Sequence, residues 1–471
     1  MPKIINLSDQ GGPPTHSEPG RSLRISVIEG AFATVHIAIT SGALVTGYAL
    51  MLGASDFHLG LLAALNALSN LGAVFSSYLV GALGHRKKLV LWGATLGRII
   101  WSVLCLLPFL GLLSGWKLLI FFLVAFAGNL SVNMANNAWL SWMTDLVPIN
   151  RRGTYFGMRS TILGVVTMAS NFGAGKLYDL LKSRDLQPQA FAIIFGSAAL
   201  AALIAGLILS RQWEPPLKGE KRLHLAELFR LPFSNPDFRR LLLFFVLWSM
   251  ATAVAGPFFA AHMIKNLKMP FAIIAYYSII AGILNFATQP LWGRIIDRIG
   301  NRPVLIFNLA GVFTLPLFWL FTTPTFYLPI WIDAFLTGLF WPGFTLASFN
   351  LVLATAPERN RTAYLAMQSL TTGLAIFIAS LAGGLLADLF KGFRWVLLGQ
   401  TIINFHLLFA LSSVLRISLL PMAMKLKEDR AQSVGKLLDM VGDKSSQRFS
   451  QMLDSGIMVI RKIGRQFRQD R

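Results

Sequence analysis

The stretch PINRRGTYFGMRS at residues 148–160 recurs, with changes, as PERNRTAYLAMQS at residues 357–369. The shift between them is 357 − 148 = 209 residues, and the same shift carries GKLYD at 175–179 onto GLLAD at 384–388. Agreement at a single shift over roughly 30 residues indicates an internal duplication. The sequence therefore predicts two related halves in one chain.

The residues around these repeats are strongly apolar. Of 471 residues, 55% are hydrophobic and 13% are charged, whereas a soluble domain carries about 25% charged residues. A helix needs roughly 20 apolar residues to cross a bilayer. The predicted spans are 26–52, 57–83, 88–112, 117–143, 153–179, 189–210, 240–264, 271–296, 303–322, 326–354, 361–389 and 394–417. We therefore expect an all-α membrane protein with twelve transmembrane helices in two six-helix pseudo-repeats.

Polar segments divide the chain into five predicted parts. These are an N-terminal tail 1–25, a six-helix bundle 26–210, a linker 211–239, a second six-helix bundle 240–417 and a basic tail 418–471. The linker is marked by Pro215, Pro216, Pro232 and Pro236, and it contains one short amphipathic piece at Leu223–Leu231.

The distribution of Lys and Arg predicts the orientation. The net charge of +21 does not indicate nucleic-acid binding, because the basic residues lie between apolar spans and mostly on one side. That side carries Arg86, Lys87, Lys88, Arg151, Arg152, Lys218, Lys221, Arg222, Arg294, Arg298, Arg302, Arg359 and Arg361; the other carries Lys117, Lys182, Arg184, Lys265, Lys268, Lys391 and Arg394. By the positive-inside rule, both termini are cytoplasmic in a multi-pass cell-membrane protein, of the inner-membrane type.

The polar N-terminal residues and the single cysteine lead to two further predictions. The first 20 residues lack an apolar signal core, so we expect the first span to serve as the insertion signal. Cys105 lies inside an apolar span, and an intramolecular disulfide is not possible.

The basic tail has two open interpretations. Phe449, Met452, Leu453, Ile457, Ile460, Ile463 and Phe467 recur at helical spacing among Arg448, Arg461, Lys462, Arg465 and Arg468. The segment is either a solvated, partly disordered tail or an amphipathic helix lying on the anionic inner leaflet.

A second motif, GRIIDRIGNRPVL at residues 293–305, lies between the eighth and ninth predicted spans. It resembles the signature loop of the major facilitator superfamily, in which Gly, Asp-Arg, Gly and basic residues follow one another. The corresponding segment of the first half, SYLVGALGHRKKL at 77–89, keeps the second Gly and the basic run, but Gly81-Ala82 replaces Asp-Arg. The resemblance implies the twelve-helix fold of that family and transport of a small solute.

The signature residues are candidates for a cytoplasmic gate. Gly293 is expected to let two helices approach closely, and Asp297 to accept hydrogen bonds from Arg residues and from a helix N-terminus. The gating candidates are Gly293, Asp297, Arg298 and Arg302 in the second half, with Asp145 and Arg152 in the first. The alternative is that these charges only reflect membrane topology.

Polar residues inside the spans are candidates for the substrate site, because they are costly in lipid. Asn129, Asn133 and Asn136 share one face of the fourth span; their alternative role is hydrogen bonding between helices. The other candidates are His36, Asn66, Asn70, Trp248, Asn285, Gln289, Asp333 and Gln368.

Two charged residues are candidates for ion coupling. Glu29 is expected about one turn inside the first span, and Arg159 about two turns inside the fifth, from the same side. The two either pair with each other, or Glu29 is a protonation site. Arg98 lies on an expected outer helix, where packing or snorkelling is its predicted role.

The absence of two kinds of sequence motif disfavours ATP-driven transport and a metal site. The chain has no phosphate-binding loop followed by Lys-Ser/Thr, which disfavours ATP-driven transport, and no His-Cys spacing typical of a metal site. We therefore expect a monomeric, cofactor-free secondary or facilitative transporter, not an enzyme, whose partners are a small solute and the bilayer. The alternative is a transporter-like fold that acts as a receptor, lipid handler or assembly factor.

The predicted orientation is testable with reporter fusions. Fusions after Gly219 and after Gln469 are both expected to report the cytoplasm, because basic loops remain on that side. A periplasmic signal at either fusion point would contradict the orientation.

Overall fold

Helices occupy the apolar segments of the chain. A computed structural model of the protein describes residues 18–83, 85–148, 151–215, 225–357, 361–397, 400–428 and 432. In the first half the helices are α1 (Glu18–Ile39), α2 (Gly42–Met51), α3 (Asp56–Ser69), α4 (Gly72–Leu83), α5 (Arg86–Ile99), α6 (Val103–Leu106), α7 (Ser114–Leu146), α8 (Arg152–Lys182) and α9 (Gln187–Leu209). Short 3-10 turns at Ile100–Ser102 and Leu107–Phe109 extend the α5–α6 rod. These elements form the N-terminal bundle.

The second half follows a linker helix, α10 (Leu225–Ser234). Its elements are α11 (Pro236–Ala253), α12 (Gly256–Ala261), a π-helical turn (His262–Asn266), α13 (Phe271–Ile299), α14 (Asn301–Val312), α15 (Leu315–Phe318), a 3-10 turn (Trp319–Phe321), α16 (Leu328–Thr355), α17 (Arg361–Leu389), α18 (Asn404–Ser418) and α19 (Leu420–Met424). Strands β1 (Arg394–Leu397) and β2 (Gln400–Ile403) precede α18. These elements form the C-terminal bundle.

Ten helical segments of the described residues are long and apolar enough to cross a membrane. Two further segments lie in the same bundles: α3 with α4, which a turn at Asn70–Leu71 interrupts, and α8, which is more polar along its length. The start of α1, the linker helix and the end of α19 lie at one end of the bundles, which we call the termini face. The loops at 52–55, 183–186, 267–270 and 390–393 lie at the other end, the far face.

Two predicted spans have wrong boundaries. The first begins earlier, at Glu18, and it breaks before Gly42, whose φ of 61° leaves the helical region. The last begins later than residue 394, because residues 394–397 and 400–403 form two antiparallel strands in which Arg394 pairs with Ile403. These strands are rich in β-branched and aromatic residues, which favour strands over helix. The amphipathic helix predicted in the basic tail lies outside the described residues.

Equivalent tyrosines fix the termini-face end of each bundle. The Tyr155 hydroxyl donates to the carbonyl of Leu23 at 3.1 Å, and the Tyr364 hydroxyl donates to the carbonyl of Leu231 at 3.1 Å. Tyr155 and Tyr364 are 209 residues apart, the shift of the sequence repeat. The same tyrosine contact is thus made at two positions that the sequence shift relates.

The hydrophobic cores are distributed unevenly between the faces. One continuous cluster spans both bundles at the far face, and it includes Tyr48, Phe191, Phe258, Phe271 and Trp319. Toward the termini face the clusters of the two bundles are separate. The bundles are therefore joined at the far face by buried apolar area, the main favourable term in association.

Glycines allow the closest contact across the shared core. A methyl group at Gly60 of α3 would overlap the backbone oxygen of Ser380 of α17 and would lie 2.8 Å from the Cα of Gly384. On α8, a methyl group at Gly175 would lie 2.9 Å from the carbonyl carbon of Phe271. Backbone contact of this kind leaves no room for a side chain.

Substitution of one of these glycines is expected to open the far face. In Gly60→Ala the added methyl group displaces α17, so the distance between spin labels at Gly111→Cys and Gly392→Cys, in a Cys105→Ser background, should increase by pulsed electron paramagnetic resonance. Gly173→Ala is the matched control, because nothing lies within 4 Å of a methyl group added there. An unchanged distance in folded Gly60→Ala would contradict this packing.

Candidate functional site

Two carboxylates clamp the bundles together at the far face. The backbone N–H groups of Phe271 and Ala272, at the N-terminus of α13, donate to Asp179 of α8 at 2.9 and 2.8 Å. The Ser55 hydroxyl, at the N-cap of α3, donates to Asp388 of α17 at 3.0 Å. Asp179 and Asp388 are equivalent in the repeat. Each carboxylate thus ends a helix of one bundle and contacts the first residues of a helix of the other.

A third carboxylate, Asp56, adds to the closure. Its Oδ1 accepts from Nζ of Lys265 at 2.7 Å, and its Oδ2 accepts from Nδ2 of Asn404 at 2.9 Å. The Asp56 side chain is only 1% exposed, so both contacts lie in an environment of low dielectric, where charge-assisted bonds are strong. Sequence reasoning missed this set, although the 209-residue repeat of Asp179 and Asp388 was a signal for it.

An amide ladder lines the N-terminal bundle nearer the termini face. Nδ2 of Asn129 donates to Oδ1 of Asn66 at 3.3 Å, and Nδ2 of Asn133 donates to Oδ1 of Asn70 at 3.1 Å and to the Ser69 hydroxyl at 2.9 Å. The ladder joins α7 to α3 where α3 ends. These residues therefore bond between helices, as the alternative role predicts, while Asn66 and Asn70 remain exposed.

The remaining polar candidates fall into two groups. Asn66, Asn70 and Asn136 on the N-terminal bundle are exposed, as is Gln289 of α13, while Asn285 and Gln368 are half-buried. In contrast, His36, Trp248 and Asp333 are buried, at 2%, 5% and 2% exposed. The structure does not bring these three to an open surface.

Each of these three buried side chains contacts a specific aromatic neighbour. His36 packs edge-on against Trp101, with ring centroids 6.2 Å apart, and Trp248 stacks on Phe344 at 4.3 Å. Asp333 accepts from the Tyr277 hydroxyl at 2.7 Å. Helix packing, which the sequence does not show, therefore determines that these three side chains are buried.

The predicted Glu29–Arg159 pair is wrong. Oε1 of Glu29 accepts from Nη1 of Arg98 at 3.1 Å, and both side chains are 5% exposed. The guanidinium of Arg159 instead stacks on Trp139, 4.4 Å from the ring centroid. The error has two sources: α1 begins at Glu18, so Glu29 lies about three turns inside it, and Arg98 of α5 points into the bundle.

The gating candidates of the first half, Asp145 and Arg152, have separate partners within their own bundle. Asp145 accepts from Nη1 of Arg86 at 2.6 Å. Arg152 donates to the carbonyls of Thr144 and Val147, the unsatisfied acceptors at the C-terminus of α7. Arg86 is 1% exposed, so the Asp145 contact neutralises a buried cation.

The signature loop is open in this structure. Asp297 and Arg298 are exposed, and neither makes an ion pair with a residue that the structure describes. The expected close approach at Gly293 is absent, since its nearest neighbour would lie 3.8 Å from an added methyl group; Gly338 of α16 provides the approach to α13 instead.

Two glutamates occupy equivalent places at the termini face. The backbone N–H of Arg86 donates to Oε1 of Glu214 at 2.7 Å, and the backbone N–H of Arg302 donates to Oε2 of Glu428 at 2.6 Å. Arg86 and Arg302 match in the two copies of the signature segment. Each glutamate follows the last long helix of its bundle and caps α5 or α14, which favours a negative charge.

A family profile matches most of the sequence. The profile of the Major Facilitator Superfamily matches residues 30–332 and 241–433. No curated protein sequence matches the chain significantly.

Solved structures share the fold at low sequence identity. A point mutant of the nucleoside transporter NupG has a TM-score of 0.68 at 12% identity, covering 87% of this chain and 100% of that chain. The xylose transporter XylE from E. coli, in an inward-open conformation, has a TM-score of 0.62 at 15% identity, covering 89% of this chain and 98% of that chain. A bacterial homologue of the iron transporter ferroportin has a TM-score of 0.59 at 16% identity, with coverages of 87% and 98%.

Cysteine labelling tests whether the amide ladder faces water. Asn129→Cys, Asn133→Cys and Asn136→Cys, each in a Cys105→Ser background, should react with small water-soluble thiol reagents, with Asn136→Cys the fastest because that side chain is exposed. Ala138→Cys, at a position 1% exposed on the same helix, is the control. Protection at all three Asn positions under every condition would leave the ladder a packing element.

Proposed function

The chain belongs to the major facilitator superfamily of membrane transporters, and we propose that it moves a small polar or amphipathic solute by alternating access. It is a transporter and not an enzyme. The main support is the combination of a far face closed by apolar packing and three carboxylates with an amide-lined wall nearer the termini face. A solute in this position has access to one side of the membrane only.

The proposed architecture is twelve membrane-spanning helices in two six-helix pseudo-repeats. Equivalent contacts at Tyr155 and Tyr364, and at Glu214 and Glu428, support the repeat. With both termini in the cytoplasm, as the Lys and Arg distribution predicts, the termini face is cytoplasmic and this conformation is inward-open.

The proposed substrate wall has two sides. The amide ladder of α3 and α7 forms one, and Asn285, Gln289 and Gln368 on α13 and α17 form the other. Amides donate and accept hydrogen bonds without a fixed charge. Such a wall suits hydroxyl, carbonyl or ring-nitrogen groups of a solute.

The two gates are proposed to differ in chemistry. The far-face gate uses Asp179, Asp388 and Asp56 in the contacts described above. The cytoplasmic gate uses Gly293, Asp297, Arg298 and Arg302 with the other bundle, once the termini face closes. Since Asp145 and Arg152 are engaged within the N-terminal bundle, they position that surface and do not cross to the other bundle in this state.

Coupling to a proton through Glu29 would require its pair with Arg98 to open. Breaking a buried pair costs about 3–5 kcal/mol, so a simple facilitative mechanism fits this conformation as well as an ion-coupled one. Arg159, the other coupling candidate, has no carboxylate partner within the described part of the chain.

The competing function is that of a receptor, lipid handler or assembly factor with a transporter fold. The side chains of the proposed substrate wall are amides without an ionisable group, which is compatible with a protein that binds without transporting. Movement of solute, rather than binding alone, separates the two functions.

Reconstituted liposomes test the proposal. Purified protein should give saturable uptake of at least one of radiolabelled uridine, D-xylose or benzoate, and an imposed pH gradient should change the rate only if transport is proton-coupled. Asp297→Asn should slow turnover, because loss of a charge-assisted bond worth about 1–3 kcal/mol shifts the two gate states roughly five- to hundredfold. Ligand binding without uptake of any probe would instead support the receptor or lipid-handling function.

A further inference from the structure

An unbalanced positive charge lies between α1, α5, α7 and α8. Glu29 and Arg98 form an ion pair at 3.1 Å, and their charges cancel. Arg159 lies beside this pair, held by its stacking on Trp139 and by contact with Gly30, where an added methyl group would overlap the guanidinium. The three charged groups together carry one net positive charge.

The guanidinium of Arg159 lacks an acceptor. It makes no hydrogen bond or ion pair with any residue in the described ranges, and its Nε is a buried donor without a partner. Nε1 of Trp139, on the ring against which it stacks, is a second buried donor without a partner. Buried donors are nearly always satisfied in folded proteins, and an unpaired charge at membrane depth marks a functional site by default.

Arg159 lies in the termini-face half of the protein. Arg159 lies about two turns from the termini-face end of α8 and is half-buried, and the next residues, Ser160 and Thr161, are exposed. Both orphaned donors are therefore on the side of the protein that is open in this conformation. An acceptor that arrives through the opening meets a planar fork that stacking has already oriented.

We propose that Arg159 binds the carboxylate or phosphate group of the transported solute, which makes the substrate an organic anion. The assignment rests on the proposed transport function and narrows its substrate class. A carboxylate or phosphate oxygen pair matches the guanidinium geometry in a bidentate contact. The amide ladder then contacts the uncharged part of the solute.

Arginine footprinting on the unmutated protein is the direct test. Phenylglyoxal modification of Arg159, followed by peptide mass spectrometry in phosphatidylcholine nanodiscs at constant ionic strength, should slow about tenfold or more with saturating benzoate or inorganic phosphate. Arg298, which is exposed, is the internal reference, and neutral benzamide is the matched probe. An Arg159 rate that neither anion changes would overturn the proposal.

A second arm separates a solute from a lipid headgroup. If phosphatidylglycerol in the nanodisc protects Arg159 and neither soluble anion does, the site binds lipid and the solute assignment is wrong. Protection by benzoate or phosphate in phosphatidylcholine alone supports the solute.

Variants provide an independent measurement. Anion-dependent thermal stabilisation of the full chain should be lost in Arg159→Gln, be partly kept in Arg159→Lys, and be unchanged in Lys176→Gln, which removes an exposed charge from the same helix. Equal stabilisation of wild type and Arg159→Gln would overturn the assignment. If Arg159→Gln does not fold, the footprint on the unmutated protein decides.

The transport assay separates failure of the anion site at Arg159 from failure of the transport proposal. Protection of Arg159 without uptake of any probe means that the anion site stands and the transport proposal fails. Uptake of uridine or D-xylose without protection of Arg159 by either anion means that transport stands and the anion assignment fails.

Discussion

The bond from a helix-terminal carboxylate to the first residues of a helix in the other bundle is the contact on which this conformation depends. Asp179 satisfies two backbone N–H groups at the start of α13, and Asp388 accepts from the N-cap Ser55 of α3. A helix N-terminus carries partial positive charge and unsatisfied donors, so a carboxylate there is favourable. Because these bonds lie at one face only, the bundles close there and can remain apart at the other.

The sequence shift relates these bonds in pairs. The shift of 209 residues relates Asp179 to Asp388 and Tyr155 to Tyr364. The two copies of the signature segment differ in their charged residues. Gly81 of the first half stands at the position that corresponds to Asp297. In that half, Asp145 and Glu214 engage Arg86. The two bundles therefore share a frame but have different charged networks at the termini face.

The sequence predicted the elements well and their side-chain partners poorly, for physical reasons. Apolar length and the repeat predict helix positions, because lipid leaves few alternatives for the backbone. Partners depend on the rotation of each helix and on depth along it. An error of about two turns in the depth of Glu29 was enough to give it the wrong arginine. The strands at 394–397 and 400–403 were missed because their apolar composition resembles that of a span.

The far-face bonds and the termini-face opening are two ends of one equilibrium. The most direct test is the spin-label distance across the termini face between Ser210→Cys and Ser418→Cys, which are exposed at the ends of α9 and α18, in a Cys105→Ser background. Combined Asp179→Asn and Asp388→Asn substitution should shorten this distance by favouring termini-face closure, whereas Asp185→Asn in the far-face loop should not. An unchanged distance in the folded double variant would contradict the account.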